Sequence, residues 1–173
     1  MLKKTFTITI YTENNKGLLS RISAMFVRRR IHIESLNVAA SEVEGIHRFT
    51  IVINETEEVT KKLSMQIDKQ VEVFKTFFEA DEEIVWQQHV LYKVSSTMEA
   101  MKKVLKSTGV RCICEQKNYT ILETTGSAEI NKAITAALTP FGITEMTNSG
   151  RIAVMNADHK IHQRLKLIEP LNN

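Results

Sequence analysis

The sequence predicts an α+β protein in which two βαββαβ units follow one another along the chain. Three observations lead to this prediction. Residues 5–11 alternate between polar and apolar side chains, as in a strand with one buried face. Residues 18–30 instead carry apolar side chains at helical spacing. After the acidic stretch Asp81–Glu83 the same succession of strands and helices begins again.

The first unit begins with a strand whose buried face carries Phe6, Ile8 and Ile10 and which ends at Thr12. A polar loop separates this strand from the helix predicted over residues 18–30. The further elements expected are a strand from Ile33 to Ala40, a turn at Glu42–Gly45, a strand through Phe49, Ile51 and Ile53, a helix through Val59, Leu63 and Ile67 up to Lys69, and a strand from Val71 to Phe78. The two middle strands are expected to pair as a hairpin.

The second unit is expected to begin with a strand from Val90 to Val94. Ser96 and Glu99 then form a capping-box pattern that predicts the start of a helix. The further elements expected are strands over residues 110–115 and 119–125, a helix that Ser127 starts and Gly142 stops, an extended segment over residues 143–146, a bend at Ser149 and Gly150, a last strand, and a tail with a weak helical stripe of Ile161, Leu165 and Ile168.

This order of elements is the split βαβ, ferredoxin-like pattern, with two helices on one face of a four-stranded antiparallel sheet. We place one domain at residues 1–80 and a second at 81–173, the latter ending in a polar tail. Domains of this size bury little surface alone, and the second face of each sheet needs a cover. The sequence therefore predicts a homodimer.

Composition excludes several classes of function. The chain has 173 residues, and 23 Lys and Arg against 20 Asp and Glu leave a net charge of +3, too small to indicate binding to nucleic acid. No apolar run approaches the roughly 18 residues of a membrane span, and the alternating start does not resemble a signal peptide. We therefore expect no membrane segment, and a cytoplasmic protein.

Residues with catalytic or metal-binding chemistry are scattered. Cys112 and Cys114 share a strand without a second pair of ligands, so reduced thiols are expected and a zinc site is disfavoured. His159 and His162 share a helical face only if the tail is helical, and a solvated tail is favoured. The basic cluster at residues 28–30 is interpreted as a helix C-terminus. No histidine has an evident nucleophile beside it in sequence, so no catalytic residue and no metal site are predicted.

The loop from Glu13 to Gly17 is the strongest candidate for a ligand site. Glycine at position 17 allows a turn and a close backbone approach. The amides of Leu18 and Leu19 open the following helix, where free N–H groups and the positive dipole end attract a carboxylate. The alternative is that Asn14 or Asn15 only caps the helix, and spacing alone favours that alternative by roughly two to one.

The two segments at residues 12–22 (TENNKGLLSRI) and 30–38 (RIHIESLNV) resemble the N-terminal ACT domain of acetolactate synthase small subunits. The resemblance extends into the second half, through Thr125-Gly126-Ser127, residues 140–146 (PFGITEM) and residues 149–153 (SGRIA). It therefore covers nearly the whole chain.

The resemblance implies a non-catalytic subunit that activates a separate catalytic large subunit, a transferase of branched-chain amino-acid biosynthesis. That large subunit joins two 2-oxoacids with thiamine diphosphate, Mg²⁺ and FAD, and none of these cofactors is expected on this chain. A branched-chain amino acid, with valine as the first candidate and isoleucine or leucine as others, is expected to bind between the ACT domains of a dimer. The expected effector-binding residues are Asn14, Asn15, Lys16, Gly17, Leu18, Leu19 and Ser20 on one subunit, facing His32 and Ile33 on the other.

One position departs from the family pattern. The family usually has Asn before Ile-Glu-Ser-Leu, and this chain has His32, which is larger and titrates near neutral pH. A buried amide that binds an amino acid is not simply replaced by an imidazole, so valine affinity is expected to fall, vanish or become pH dependent. Activation need not change with it.

The competing interpretation is a stand-alone amino-acid-sensing regulator of transcription or of another enzyme. Such a protein would need a DNA-binding element or a different partner, and two βαββαβ units leave no segment for a helix-turn-helix. An enzyme would need an acid/base or nucleophile set that the motifs do not supply.

Overall fold

The computed structural model describes residues 2–156, and the order of elements is βαββαβ twice over. The strands are β1 Lys4–Glu13, β2 Ser35–Ala40, β3 Ile46–Glu55, β4 Val73–Ala80, β5 Ile84–Val94, β6 Arg111–Glu115, β7 Thr120–Gly126 and β8 Ile143–Met155. The α-helices are α1 Leu18–Arg28, α2 Glu57–Ile67, α3 Met98–Thr108 and α4 Ala128–Leu138, with short 3-10 turns at Asp81–Glu83 and Thr139–Phe141. The predicted fold class is confirmed.

The described residues divide into two compact units. One contains the chain up to Trp86 together with the segment that starts at Arg151, and the other contains Gln87–Gly150. The sequence placed a single boundary between residues 80 and 81. The difference arises because the side chain of Arg151 is buried in the first unit, where it binds Thr7 and Asp81.

The first unit is a four-stranded antiparallel sheet in the order β2-β3-β1-β4. Ile8 lies between Ile51 of β3 and Phe78 of β4, so the alternating face of β1 meets apolar neighbours on both sides. The hairpin of β2 and β3 is formed as predicted. The core on the helix-covered face consists mainly of Phe6, Ile8, Ile10, Leu18, Ile22, Met25, Phe26, Phe49, Ile51, Ile53, Leu63 and Ile67.

Several elements of the first unit end or begin elsewhere than predicted, among them α1 and β4. Helix α1 ends at Arg28 because Arg30 has a positive φ of 57° and the amide of Ile31 returns to the carbonyl of Phe26 at 3.0 Å. Strand β4 begins at Val73, and Val71, which the apolar pattern assigned to it, is almost fully exposed.

The second face of this sheet is partly covered by the chain itself. Arg151 donates from Nη1 to the Thr7 hydroxyl at 2.9 Å, and its amide donates to Ser35 Oγ at 3.0 Å. The Arg48 guanidinium donates to the Ala153 carbonyl at 2.5 Å. The end of β8 therefore supplies some of the cover that the sequence assigned to a second subunit.

The second unit is a sheet in the order β6-β7-β5-β8. Helix α3 is capped by Thr97, whose hydroxyl accepts from the amide of Ala100, so the predicted cap at Ser96 is wrong. The Ser96 carbonyl instead accepts from Thr120 Oγ1 at 2.6 Å, which holds Ser96 beside β7. The core consists mainly of Val90, Tyr92, Val94, Met101, Leu122, Ile134 and Leu138.

Strand β8 is one continuous strand, and Gly150 with a φ of 74° is a local irregularity within it. The irregularity predicted at Ser149 and Gly150 is present, but it does not divide the strand into two segments. Cys112 and Cys114 are half-buried free thiols, and the β6–β7 register shifts between them. The tail stripe of Ile161, Leu165 and Ile168, and the pair His159 and His162, lie outside the described residues.

Candidate functional site

The loop before α1 has the backbone geometry that the sequence predicted. Strand β1 ends at Glu13, and Gly17 adopts φ +83° and ψ −5° immediately before Leu18 begins the helix. A Cβ at Gly17 would meet no atom within 4 Å. The requirement for glycine is therefore its left-handed backbone conformation, and not a lack of space.

The N-terminus of α1 has no side-chain cap. Asn15 Nδ2 donates to the Glu13 carboxylate at 2.8 Å, and only the backbone carbonyl of Asn15 reaches the helix, where it accepts from the Leu18 backbone amide at 3.3 Å. The alternative in which Asn14 or Asn15 only caps this helix is therefore wrong. The other three α-helices are capped by the hydroxyls of Thr56, Thr97 and Ser127.

The electrostatics of this helix start favour an anion. Within the described part of the chain, no group accepts a hydrogen bond from the amides of Leu19 and Ser20, as expected for the first turn of a helix. No acidic residue lies in that turn, so no carboxylate side chain there compensates the positive end of the helix dipole. A carboxylate could therefore bind these two amides.

The base of the loop is anchored to the start of β4. The amide of Glu13 donates to the Glu72 carbonyl at 3.0 Å, and the Glu72 carboxylate forms an ion pair with Arg21 of α1. The hydrogen bond from Arg21 lowers the pKa of Glu72. Sequence analysis missed this anchor, because Glu72 lies between two apolar residues and only the folded chain brings it beside Arg21.

The predicted site residues fall into two groups that one chain does not bring together. Asn14, Lys16 and Ser20 are exposed beside the loop, whereas His32 and Ile33 follow the opposite end of α1. That helix has eleven residues, so its ends are about 16 Å apart. Within one chain, His32 therefore cannot contact a ligand at the loop.

Leu18 and Leu19 differ in their surroundings. The side chain of Leu18 is buried in the core, so this residue could contribute only its backbone to a site. Leu19 is exposed, as are Val27 further along α1 and Leu36 and Val38 on the edge strand β2. This chain therefore presents an apolar helix side and an apolar strand edge to its surroundings.

One histidine has a hydroxyl neighbour that the sequence did not reveal. His89 Nδ1 lies 3.3 Å from Thr125 Oγ1, and His89 Nε2 lies 3.6 Å from the carboxylate of Glu123. Arg111 also pairs with Glu123. His89 is only partly buried and Thr125 is exposed, so this cross-strand cluster is interpreted as a surface contact of the sheet.

Metal-binding clusters and membrane-spanning helices are both absent from the described residues. Among residues 2–156 no three His, Cys, Asp or Glu side chains are grouped so that they could hold a metal ion. No helix in that range has the length and apolar character needed to cross a membrane.

Comparison with known proteins yields matches over both units. A family model described as the AHAS small subunit-like ACT domain matches residues 8–75, and a model of the small subunit of acetolactate synthase matches residues 87–157. The acetolactate synthase small subunit of Mycobacterium bovis is 30% identical over 157 residues, which are 89% of this chain and 94% of that protein. That of Bacillus subtilis is 28% identical over 156 residues, which are 88% of this chain and 90% of that protein.

A solved structure has the same fold. The crystal structure of the acetolactate synthase small subunit from Thermotoga maritima superposes with a TM-score of 0.82 and 21% sequence identity. The match covers 90% of this chain and 99% of that chain.

Proposed function

The chain belongs to the family of acetolactate synthase small subunits, and from this membership we propose that it activates a separate catalytic subunit. That subunit joins two pyruvates, or pyruvate and 2-oxobutanoate, with loss of carbon dioxide. In this proposal thiamine diphosphate, Mg²⁺ and FAD are bound by the catalytic subunit, which supplies the chemistry. The present chain supplies regulation.

The observation that carries the regulatory part of the proposal is the uncapped start of α1 behind Gly17. We propose that the carboxylate of a branched-chain amino acid accepts hydrogen bonds from the amides of Leu19 and Ser20. The exposed Asn14 side chain has an amide oxygen that can accept from the ligand ammonium. Valine is the first candidate because its carboxylate, ammonium and short aliphatic side chain suit such a site.

A second copy of the chain completes this site in the proposal. Since about 16 Å of helix separates the loop from His32 within one chain, the facing residues are the partner subunit's His32 and Ile33. Strand β2 is the edge of its sheet and carries the exposed Leu36 and Val38, which suit pairing with an equivalent strand. We therefore propose a homodimer that joins through β2 and α1.

Regulation then follows from a population shift. An effector held between two subunits binds only the arrangement in which the loop and the facing strand meet, so it stabilises that arrangement of the dimer. If the catalytic subunit binds another arrangement better, the effector and the catalytic subunit weaken each other's binding by the same factor, and activation falls.

The direct test is reconstitution of the full-length chain with its cognate catalytic subunit. Acetolactate formation from pyruvate should rise with added chain and reach a plateau when the catalytic subunit is saturated. Valine, leucine and isoleucine are then titrated into the saturated complex. An unchanged rate with a chain that copurifies with the catalytic subunit would contradict the activating role.

The alternative of a stand-alone transcriptional regulator is not favoured. The described residues belong entirely to the two βαββαβ units, and they contain no additional helix-turn-helix for DNA binding.

A further inference from the structure

Glu72 joins the two sides of the loop at residues 13–17. It precedes β4, and its backbone carbonyl accepts from the amide of Glu13, the last residue of β1, at 3.0 Å. Its carboxylate accepts a hydrogen bond from Arg21, near the start of α1, and forms an ion pair with it. The strand end and the helix start are therefore both attached to one residue, which lies 51 positions from Arg21 in the chain.

Arg21 belongs to the helical turn whose amides are free. Its backbone amide donates to the Gly17 carbonyl at 3.2 Å, which is the first α-helical hydrogen bond of α1. Leu19 and Ser20 lie between these two residues, and within residues 2–156 their amides have no acceptor. Because residues 17–21 form one hydrogen-bonded turn, a contact that fixes the Arg21 side chain also restricts the direction of both free amides.

The other polar contacts of the loop are local. Asn15 Nδ2 donates to the Glu13 carboxylate, and the Asn15 carbonyl accepts from the Leu18 amide. These bonds join residues at most three positions apart, so they define the shape of the loop but not the direction of α1 on the sheet. The buried Leu18 and Ile22 hold the helix against the core, and such apolar contacts have little directional preference. The contacts of Glu72 supply that direction.

The exposure of the pair suits orientation of a turn better than stabilisation of the fold. The Glu72 side chain is 18% exposed, whereas the Arg21 side chain is 52% exposed. An ion pair with a solvated partner adds little to the stability of a domain. The hydrogen bond from Arg21 lowers the pKa of Glu72, so the carboxylate is charged and bound at neutral pH. Loss of the pair should therefore change the helix start and leave the fold intact.

We propose that Arg21 and Glu72 are the positioning pair of the effector site, and this inference rests on the function proposed above for the loop. Neither side chain contacts the effector. The pair holds the first turn of α1 in the orientation in which the amides of Leu19 and Ser20 receive the carboxylate. Affinity for the effector then depends on the pair, whereas activation of the catalytic subunit does not. Glu72 thus acts from outside the loop and the helix that bind the ligand.

The first test needs no effector. Residual dipolar couplings of the ¹⁵N-labelled full-length chain measure the directions of the Leu19 and Ser20 N–H bonds relative to those of β1. Glu72→Ala removes the carboxylate and keeps the backbone carbonyl. It should change both couplings and raise the hydrogen exchange rate of the Arg21 amide about threefold or more. Glu58→Ala breaks an exposed ion pair within α2 and is the matched control. It should leave the couplings and the exchange rate unchanged.

The second test measures the response to the effector. In the complex reconstituted with the catalytic subunit, Glu72→Ala and Arg21→Met should each raise the valine concentration for half-maximal inhibition about three- to tenfold. The double variant should raise it no further, because the two side chains act as one unit. The plateau of activation should remain that of the unaltered chain. Arg21→Lys keeps the charge and should retain most of the valine affinity.

Three results would overturn the proposal. Unchanged couplings at Leu19 and Ser20 in a folded Glu72→Ala chain exclude an orienting role. Weaker inhibition with Arg21→Met but not with Glu72→Ala shows that Arg21 contacts the effector directly. An equal loss of inhibition and activation in both variants shows a role in the fold alone. If the unaltered chain responds to no branched-chain amino acid, the proposed function of the loop fails, and the dipolar couplings alone decide whether the pair orients α1.

Discussion

The guanidinium of Arg151 binds the carboxylate of Asp81 through both terminal nitrogens, with Nη1–Oδ1 at 2.5 Å and Nη2–Oδ2 at 3.2 Å. Arg151 is 6% exposed and also lies 3.8 Å above the centre of the Trp86 ring. These contacts hold the last part of β8 in the first unit. A bidentate pair with a stacked aromatic ring is a geometry that arginine forms and lysine does not.

Replacement of Arg151 should therefore destabilise the first unit. Arg151→Met keeps much of the apolar stem but leaves Asp81 and Thr7 without their donor, at an expected cost of about 2–3 kcal/mol in unfolding free energy. Urea unfolding monitored by the fluorescence of Trp86, the single tryptophan, measures this cost and the loss of the stacked cation. The exposed Arg28→Met is the control, and equal stability of the two variants would refute the role assigned to Arg151.

Effector binding should depend on the backbone conformation of Gly17. Gly17→Ala forces a Cβ into a left-handed conformation, which costs about 1 kcal/mol and favours other loop geometries. The valine concentration for half-maximal inhibition should rise several-fold, while activation is retained. Gly45→Ala is a matched control, because Gly45 has φ +78° and equal space in the β2–β3 turn. An equal effect of both variants on inhibition would exclude a specific role for the loop.

The proposed homodimer should depend on the exposed edge of β2. Val38 is 39% exposed on this edge, and Val38→Lys places a charge where the second copy is proposed to pair. We expect the dimer dissociation constant to rise by about a hundredfold, as measured by analytical ultracentrifugation. Ile113→Lys makes the same kind of change on β6, the edge strand of the other sheet, and should leave the dimer intact. A dimer that survives Val38→Lys would contradict the proposed interface.

Restoring the amide at position 32 should strengthen feedback. His32 is exposed in the single chain, so His32→Asn is not expected to disturb folding. The amide can hydrogen-bond a ligand without changing charge, and valine should inhibit at a concentration about three- to tenfold lower. His47→Asn on β3 is the control, and unchanged valine sensitivity in His32→Asn would place position 32 outside the site.

The Cys112 thiol should differ from the same thiol in an unfolded chain in its response to pH. Burial raises the pKa of the Cys112 thiol, with a smaller contribution from the charge of Glu115. At about pH 8, Cys112 therefore has less reactive thiolate than it has in the unfolded chain, and iodoacetamide should modify it more slowly when the protein is folded. Mass spectrometry of Cys114→Ser follows Cys112 alone.

The raised pKa of Cys112 also determines how the stability of the fold changes with pH. The unfolded chain releases the Cys112 proton first as the pH rises, so the stabilising contribution of the neutral thiol is full below the ordinary cysteine pKa and is lost above it. Cys112→Ser should remove this part of the alkaline destabilisation. Modification of folded Cys112 as fast as in urea would contradict a buried thiol.

The loop at residues 13–17 contains one feature that the sequence predicts and one that it does not. Its polar composition and its glycine predict a turn at Gly17, and the structure has this turn because the left-handed conformation depends on local chain geometry. Spacing favoured capping by Asn14 or Asn15, and that preference was wrong because the Asn15 side chain turns to Glu13. Residue spacing does not show whether the Asn15 side chain bonds the helix amides or the Glu13 carboxylate.

The sequence by itself determined the two βαββαβ units, since alternation in β1 and helical spacing in α1 reflect which side chains each element must bury. Only the tertiary structure decided where Arg151 lies and that this residue belongs to the first unit although residues 87–150 form the second. Arg151 is separated from Thr7 by 144 residues and from Asp81 by 70. The periodicity of apolar residues shows which side of a single helix or strand is buried. The partner of a buried charged side chain depends instead on packing between segments that are distant in the chain.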